Sequence, residues 1–296
     1  MNRKIELKYL RLDRIPRDST IAIVAKRRSG KSTLIRNILY EMNPNRVVAF
    51  IGSESGTAYY SQFISPLYIH TTWDPQIIQA IIDHQRTYFD GDPRKILAIV
   101  IDDWGFDKVV MKSKELRELM QNGRHIGVQV IIAVQFLRSI PFENRGNFDI
   151  ICVLRENNKN NQKILHEECF SVFDTLADFR RVLQQTTDNF GVLVQDNTSR
   201  QTGIEHCVRY YKANENLAPF TVGDPKGKEV NDNFLKNEFK QHSPDIEEKQ
   251  NNRSSNSPIS RSSNMKEYDP KRRYQKHSTV HHQKPRSGSS TIEITI

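Results

Sequence analysis

The chain has 296 residues and a formal net charge of +9, and 36% of its residues are hydrophobic. This length predicts one α/β domain of roughly 200 to 250 residues with a tail. The three cysteines are far apart and form no Cys-x-x-Cys pair, which argues against a disulfide framework or a zinc ribbon. No apolar run approaches the roughly 18 residues of a membrane span, and no apolar signal-peptide core follows the N-terminus. We therefore expect a soluble protein without a membrane span that is not secreted.

The positive charge is concentrated near the C-terminus. Residues 251–296 contain nine Lys or Arg and three Asp or Glu, which gives this segment a net charge of +6. Aliphatic residues become sparse after residue 224, so we predict a domain over 1–223 and a basic, low-complexity, disordered tail over 224–296. The Lys271-Arg272-Arg273 cluster fits binding to DNA or to an acidic capsid surface, a nuclear localisation signal, or a merely solvated tail.

Short runs of β-branched and other apolar residues recur along the first 200 residues, with helical patterns between them. Such runs predict strands that are buried on both faces of a mostly parallel sheet flanked by helices, the α/β class. The predicted strands are Ile21–Val24, Val47–Ile51, Ile96–Ile101, Val128–Val134, Ile150–Leu154 and Val192–Val194.

Helix signals lie between these runs. Asp74 is a predicted N-cap and Pro75 fits the first helical position, and the residues after them supply one apolar face: Ile77, Ile78, Ile81 and Ile82. A second helix is predicted over about 113–122, with Gly123 ending it in the left-handed conformation. Residues 162–183 predict one or two further helices.

The first predicted strand leads into a loop and a helical pattern typical of a Walker A phosphate-binding loop. The loop consists of Ala25, Lys26, Arg27, Arg28, Ser29, Gly30, Lys31, Ser32 and Thr33. In such a loop, backbone N–H groups and the helix N-terminus surround the phosphates of ATP. Lys31 would reach the β- and γ-phosphates and Ser32 would ligate Mg²⁺. Ala25 stands where the motif usually has glycine, and its methyl group narrows the loop entrance without removing a phosphate contact.

A second apolar run, Leu97–Ile101, ends in Asp102 and Asp103 and has the Walker B form. Asp102 would hold Mg²⁺ directly or through water. Asp103 would act as the general base that polarises the attacking water. The alternative is an acidic turn after a buried strand, in which Asp103 caps a helix.

Two further side chains are candidates for catalysis. Gln135 follows the strand Val128–Val134, where it would bind the γ-phosphate or the lytic water, although such a residue is also a common solvent-exposed strand end. In parallel α/β sheets ligands bind beyond the carboxyl ends of the strands, which favours Gln135 joining Lys31 and Asp102. Arg124 is a candidate arginine finger for a neighbouring subunit. It is equally well interpreted as a surface arginine or a helix C-terminal charge.

Together these segments resemble the FtsK/HerA superfamily of P-loop ATPases, and within it the DNA-packaging ATPases of nucleocytoplasmic large DNA viruses, of the poxvirus and iridovirus type. The resemblance covers about residues 5–215. It depends on four segments: 25–33, 99–103, 122–125 and 131–135. It implies a RecA-like or FtsK/HerA-like P-loop fold with a glutamine-tipped strand beside the Walker B strand. It also implies that ATP hydrolysis with Mg²⁺ drives translocation of double-stranded DNA for packaging into a capsid.

The same resemblance implies partners and a location. The partners would be double-stranded DNA, copies of the chain in a ring of five or six, and capsid or inner-membrane virion proteins. The location would be the virus assembly site in the host cytoplasm, the virion, or the nucleus. The superfamily commonly has glutamate after the Walker B aspartate, so the shorter Asp103 leaves open whether it acts directly, through a repositioned water, or not at all. Cations that would grip DNA phosphates are Arg138, Arg145, Arg155 and Lys159.

Two other functions remain open at this point. A P-loop nucleotide kinase would need a substrate lid and no DNA, and the Asp102-Asp103 pair suits activation of water better than transfer to a small acceptor. A non-hydrolysing nucleoprotein or capsid scaffold with a degenerate P-loop is compatible with Ala25, and it would bind ATP without turnover.

Overall fold

A computed structural model describes residues 4–223 and 291–295, and these residues include one mixed β-sheet. The strands at the centre of the sheet coincide with the continuous apolar runs of the sequence. The strands at its sides are formed by half-polar segments. In chain order the strands are β1 (Lys4–Tyr9), β2 (Thr20–Val24), β3 (Arg46–Ile51), β4 (Ile69–His70), β5 (Leu97–Asp102), β6 (Val128–Val134), β7 (Ile150–Val153), β8 (Gly191–Asp196), β9 (Val208–Lys212) and β10 (Thr291–Thr295).

Helices connect the strands, and several begin at side chains that cap them. Asp74, Ser113, Asn158 and Thr175 each accept a hydrogen bond from a first-turn N–H group, as N-cap residues do. In chain order the α-helices are α1 (Lys31–Met42), α2 (Glu54–Tyr60), α3 (Pro75–Phe89), α4 (Lys108–Met111), α5 (Lys114–Asn122), α6 (Phe142–Arg145), α7 (Lys159–Glu168), α8 (Leu176–Thr186) and α9 (Ile204–Cys207).

The strand order is β10-β1-β9-β8-β7-β2-β6-β5-β3-β4. From β7 to β4 every neighbouring pair is parallel, so these strands all end at the same side of the sheet, which we call the carboxyl edge. Beyond β7 the pairing is mixed: β8 is antiparallel to both of its neighbours, β9 is parallel to β1, and β10 is antiparallel to β1. The opposite side, where the parallel strands begin, we call the amino edge.

The core lies on both faces of the sheet because successive strand residues point to opposite faces. In β2, Ile21 and Ile23 pack in the cluster that contains α1, whereas Ala22 and Val24 pack in the cluster that contains α3, α5, α7 and α8. Both isoleucines are fully buried, and burial of such a side chain contributes about 1.5 to 3 kcal/mol. The central strands are therefore enclosed, and their carboxyl ends are held rigidly.

The predicted α/β class with a mostly parallel sheet is confirmed, and the antiparallel pairs are β7 with β8, β8 with β9, and β1 with β10. All six predicted strands are present, with bounds that shift by one or two residues. The structure adds β1, β4, β9 and β10. Their burial patterns alternate or are only partly buried, so they lack the continuous apolar run that identified the others.

The prediction that Gly123 ends a helix in the left-handed conformation is wrong. Gly123 has φ −53° and ψ −40°, and the chain continues from α5 into a 3-10 turn over Gly123–Ile126. The left-handed residue is Gly127, with φ 65°. A Cβ at Gly127 would lie 2.3 Å from Cδ2 of Phe89, so the turn before β6 requires glycine there.

The predicted tail over 224–296 did not anticipate β10. Ile294 in β10 is 2% exposed and pairs with Ile5 of β1, and Lys4 forms an exposed ion pair with Glu293. Five residues with alternating apolar side chains are too short to be recognised without their partner strand. The remainder of the predicted tail, including the Lys271-Arg272-Arg273 cluster, lies outside the described residues. Among the residues that the structure describes, no helix combines the length and apolarity that a membrane crossing requires.

Candidate nucleotide site

The loop between β2 and α1 lies at the carboxyl edge and presents the first turn of α1. Gly30 is the N-cap residue of α1, and because it has no side chain the first-turn N–H groups receive no side-chain cap. Leading N–H groups of a helix have no acceptor within the helix itself, and together with the helix dipole they favour an anion. The predicted phosphate-binding loop therefore has the strand, loop and helix arrangement that its sequence requires.

Gly30 is required by both conformation and space. Its φ is 98°, a conformation that residues with a Cβ rarely adopt, and a Cβ would lie 2.5 Å from Cδ1 of Phe190. Phe190 itself has φ 60° and directly precedes β8, which starts at the carboxyl edge because it is antiparallel to β7. An aromatic ring from the antiparallel part of the sheet thus closes against the phosphate-binding loop.

Ala25, the departure from the motif, fits without strain. Its N–H donates to the carbonyl of Val134 at 3.0 Å, its φ is not positive, and the residue is 3% exposed and packs in the core. The position therefore does not need the conformational freedom of glycine. The alanine is compatible with an intact loop.

Lys31 bridges both acidic residues of the Walker B segment. Its Nζ lies 2.6 Å from Oδ1 of Asp102 and 2.5 Å from Oδ1 of Asp103. The side chain of Lys31 is 10% exposed, that of Asp102 is 1% exposed and that of Asp103 is 31% exposed. The three side chains form one cluster in which the more accessible carboxylate is that of Asp103.

The electrostatics of the cluster follow from burial and from the single positive charge. Burial raises the pKa of Asp102, although the charge of Lys31 opposes it. Burial would also raise the pKa of Asp103, but the hydrogen bonds from Lys31 and Ser53 and the charge of Lys31 prevail and lower it. Burial lowers the pKa of Lys31, and the Asp102 and Asp103 carboxylates more than offset this, so its pKa is raised. Lys31 is therefore charged at neutral pH, and Asp103 is ionised.

The predicted metal ligands fit Mg²⁺. Oγ of Ser32 lies 3.5 Å from Oδ2 of Asp102, and Oδ1 of Asp102 is buried and faces the Lys31 ammonium at 2.6 Å. A buried carboxylate beside a hydroxyl is a suitable ligand for a hard cation or for its water. Ser32 and Asp102 are the residues that would hold it.

Gln135 lies at the centre of this edge. The strand order places β6 between β2 and β5, with Val24 opposite Val134 and Asp102 opposite Ala133. Gln135 is the residue after Val134, so it follows the strand between the phosphate-binding loop and the Walker B strand. Its side chain is partly exposed.

Arg124 lies at the other side of the sheet. It belongs to the 3-10 turn before β6 and therefore lies at the amino edge, whereas Gln135 follows the same strand at the carboxyl edge. A seven-residue strand spans about 20 Å, so Arg124 does not reach the Lys31 cluster of its own chain. It is exposed, and a role in catalysis requires a second copy.

Ser53 and Tyr60, which the sequence analysis did not single out, also contact the acidic pair. Oγ of Ser53 donates to Oδ2 of Asp103 at 3.0 Å, and the hydroxyl of Tyr60 donates to Oδ2 of Asp102 at 2.9 Å. Ser53 follows β3 at the carboxyl edge, so the rule that pointed to Gln135 could have identified it. Tyr60 lies one helix later, and no sequence signal places it there.

A third unpredicted residue, Glu156, holds the phosphate-binding loop from the side of β7. Its side chain is 6% exposed and lies 2.7 Å from Nζ of Lys26. Glu156 also accepts hydrogen bonds from the backbone N–H of Asn158 and from the side-chain amide of Asn161. This buried carboxylate links the loop to the start of α7.

The predicted DNA-gripping cations differ in accessibility. Arg145 is 15% exposed, and its guanidinium is bound to Glu168 and to the carbonyl of Ile140, so it is not available to a phosphate. Arg138 is 63% exposed and lies 3.6 Å from Glu168. Arg155 and Lys159 are exposed on the segment after β7.

Comparison with known proteins places the chain in a viral group. Residues 6–215 match the family model described as "Poxvirus A32 protein". Uncharacterized protein 075L of Invertebrate iridescent virus 6 is 32% identical over 201 residues, which cover 66% of this chain and 77% of that protein. Uncharacterized protein L437 of Acanthamoeba polyphaga mimivirus is 27% identical over 249 residues, which cover 80% of this chain and 86% of that protein.

Similar solved structures include viral and bacterial ATPases. The genome packaging NTPase B204 of Sulfolobus turreted icosahedral virus 2 is 18% identical with a TM-score of 0.48, over 67% of this chain and 98% of that one. EssC of Geobacillus thermodenitrificans is 15% identical with a TM-score of 0.46, over 82% and 50%. Because the family model spans more than half of the sequence, the chain belongs to the poxvirus A32 protein family, a family of genome-packaging ATPases.

Proposed function

We propose that the protein is an ATPase that moves double-stranded DNA into a viral capsid. The observation that carries the proposal is the cluster of Lys31, Asp102 and Asp103 at a helix N-terminus, in a chain of the poxvirus A32 family. The placement of Gln135 on the strand between them supports the same function.

In this proposal Lys31 exchanges partners when ATP binds. The phosphates take their place at the first turn of α1, and the ammonium group moves from the Asp103 carboxylate to the β- and γ-phosphates. Asp103, partly exposed and ionised, is then free to accept a proton from the attacking water. Ser32 and Asp102 would hold Mg²⁺, which would neutralise phosphate charge. Gln135 orients the water or the γ-phosphate.

A ring of copies would complete the site. Arg124 lies at the amino edge of its own sheet, so we assign it to the γ-phosphate of an adjacent subunit. Four strongly exposed apolar side chains lie on the segments that follow β5 and β6, where a neighbouring copy would cover them: Phe106, Val109, Phe136 and Phe142. The number of subunits would be five or six.

The DNA contacts would involve phosphate-binding cations. Arg155 and Lys159 are the best placed of the predicted set because both are exposed and follow a strand that ends at the carboxyl edge. Such contacts release counterions, so DNA affinity would fall steeply as salt rises. The protein would act at the assembly site in the host cytoplasm or in the virion, with capsid or inner-membrane virion proteins as partners.

The test is steady-state ATP hydrolysis with and without linear duplex DNA. We expect duplex to stimulate turnover and Lys31→Ala to abolish it, with Lys8→Ala, an exposed lysine of β1, as the control. Phosphate transfer to a nucleoside without DNA stimulation would instead identify a kinase. Nucleotide binding without turnover would identify a scaffold. Hydrolysis by Lys31→Ala at the wild-type rate would eliminate the assigned site.

A further inference from the structure

The segment that follows β3 contacts both Walker B carboxylates, each through a different hydroxyl group. The chain leaves β3 at the carboxyl edge, turns at Ser53 and forms α2, which ends at Tyr60. Ser53 donates to Asp103 at 3.0 Å, and Tyr60 donates to Asp102 at 2.9 Å. These two hydrogen bonds leave one carboxylate oxygen of each aspartate directed at Lys31.

Burial makes the Tyr60 contact specific. Tyr60 is fully buried, and its ring packs against Tyr59 and Phe63 at centroid distances of 5.7 and 5.6 Å. A hydroxyl group in such a place needs a partner, and the Asp102 carboxylate supplies it. Oδ2 of Asp102 is also the oxygen that lies nearest to the Ser32 hydroxyl, at 3.5 Å. The Tyr60 hydroxyl therefore fixes the carboxylate whose other oxygen, Oδ1, faces the Lys31 ammonium.

The Ser53 contact orients the second carboxylate. Asp103 has φ 62°, a left-handed conformation that aspartate tolerates, and its carboxylate lies between the Ser53 hydroxyl and the Lys31 ammonium. When the lysine is drawn away by a phosphate, Ser53 remains as a partner of Asp103. The two hydroxyls thus hold the acidic pair in position whether or not Lys31 is bound to it.

We infer that Tyr60 and Ser53 are positioning residues, each of which orients one carboxylate of the acidic pair. Tyr60 sets Asp102 for Mg²⁺, and Ser53 sets Asp103 for the attacking water. This inference rests on the proposed ATPase function. It assigns a positioning role to Ser53, the N-cap of α2, and to Tyr60, the last residue of α2. Both residues act only through the aspartates.

The test compares Tyr60→Phe with Tyr59→Phe, because Tyr59 is the adjacent ring without a contact to Asp102. Binding of a fluorescent, non-hydrolysable ATP analogue is titrated with Mg²⁺, and separately measured in EDTA. For Tyr60→Phe we expect the Mg²⁺ concentration at half-saturation to rise about tenfold, the effect of losing one hydrogen bond to a charged group. Binding in EDTA and the melting temperature stay close to wild type. A merely structural role would change all three measurements together.

Two further experiments can refute the inference even if Tyr60→Phe alone is unstable. In an Asp102→Asn background, adding Tyr60→Phe should produce no further change in the Mg²⁺ requirement, since the tyrosine acts through that carboxylate. Ser53→Ala should lower kcat several-fold and leave the Mg²⁺ requirement unchanged. An additional Mg²⁺ effect in the double variant, or equal titrations for Tyr60→Phe and Tyr59→Phe, would overturn the inference. A wild-type protein that binds no nucleotide would instead refute the proposed function.

Discussion

The parallel and antiparallel regions of the sheet are built differently and contribute differently to the protein. The strands from β7 to β4 run in one direction and carry Lys31, Asp102, Asp103 and Gln135 at their common edge. The part from β8 to β10, here called the antiparallel region, has three antiparallel pairs and one parallel pair, β9 with β1. Every residue of β2, β5 and β6 is buried, whereas β1 and β9 each contain only two buried residues. A sheet buried on both faces holds its strand ends rigidly, which is the property a multi-residue site needs. The antiparallel region adds stability and one ring, Phe190, that reaches the phosphate-binding loop.

The largest expected change in a test of this comparison between the two regions comes from substituting Arg124, at the amino edge of the parallel region. We expect Arg124→Ala to lower ATP turnover on the order of 10³-fold in the assembled protein, because an arginine finger stabilises charge in the transition state. Arg117→Ala, an exposed arginine on the neighbouring helix α5, should have little effect. Mixing Arg124→Ala with Lys31→Ala subunits should restore part of the turnover, as each supplies what the other lacks. If mixing restores nothing while the two proteins co-assemble, the arginine does not act across an interface.

The next effect concerns Asp103, the accessible carboxylate at the carboxyl edge. We expect Asp103→Asn to reduce kcat by roughly 10²-fold or more while nucleotide binding persists, since an amide cannot accept the proton of the attacking water. Rapid-quench measurement of phosphate release, beside a nucleotide titration, separates the two steps. Asp83→Asn on α3 is the control. Turnover within a factor of two of wild type would show that Asp103 is not the base.

A substitution at Gly30 tests the contact between the phosphate-binding loop of the parallel region and Phe190 of the antiparallel region. Gly30→Ala introduces a Cβ 2.5 Å from Phe190 at φ 98°, and we expect the free energy of unfolding to fall by about 1 to 3 kcal/mol, together with loss of nucleotide binding. Denaturant unfolding measures the first effect. Adding Phe190→Ala removes the clash but not the backbone strain, so partial recovery is expected. Full recovery of stability would mean that the clash alone requires glycine.

The smallest effect tests whether the antiparallel region is free of catalytic function. Ile294→Asp places a charge at a buried position of β10 and should lower the free energy of unfolding by about 1 to 2 kcal/mol, because the short edge strand detaches. Glu293→Ala removes only the exposed ion pair with Lys4 and should cost about 0.5 kcal/mol or less. Thermal unfolding distinguishes them. ATP turnover by Ile294→Asp should equal that of wild type below its melting temperature, and a loss of turnover would link the edge strand to the site.

Much of the fold was predictable because the central strands are continuous apolar runs bounded by loops. Such a run predicts a strand whatever its neighbours are, and Asp74 identified its helix as an N-cap whose side chain accepts a hydrogen bond from the backbone. The strands β1, β9 and β10 were not predicted, because they have no continuous apolar run and become strands only when a partner pairs with them. The error at Gly123 has a similar origin: whether a helix ends or continues into a 3-10 turn depends on the packing of Gly127 against Phe89.

The residues of the candidate site fall into the same two groups, those that the sequence predicted and those that only the structure identified. The sequence by itself brought the candidate residues together, because Lys31, Ser32, Asp102 and Gln135 each lie at or beyond the carboxyl end of an apolar run, and the ends of parallel strands meet at one edge. Only the tertiary structure decided how the acidic pair is held, since Tyr60 and Glu156 reach the site from elements that the sequence does not relate to it. It also decided that Arg124 lies at the far edge and that Arg145 is bound to Glu168. Strand order and side-chain contacts depend on the free energy of the whole packed chain, and a local pattern of residues does not contain that information.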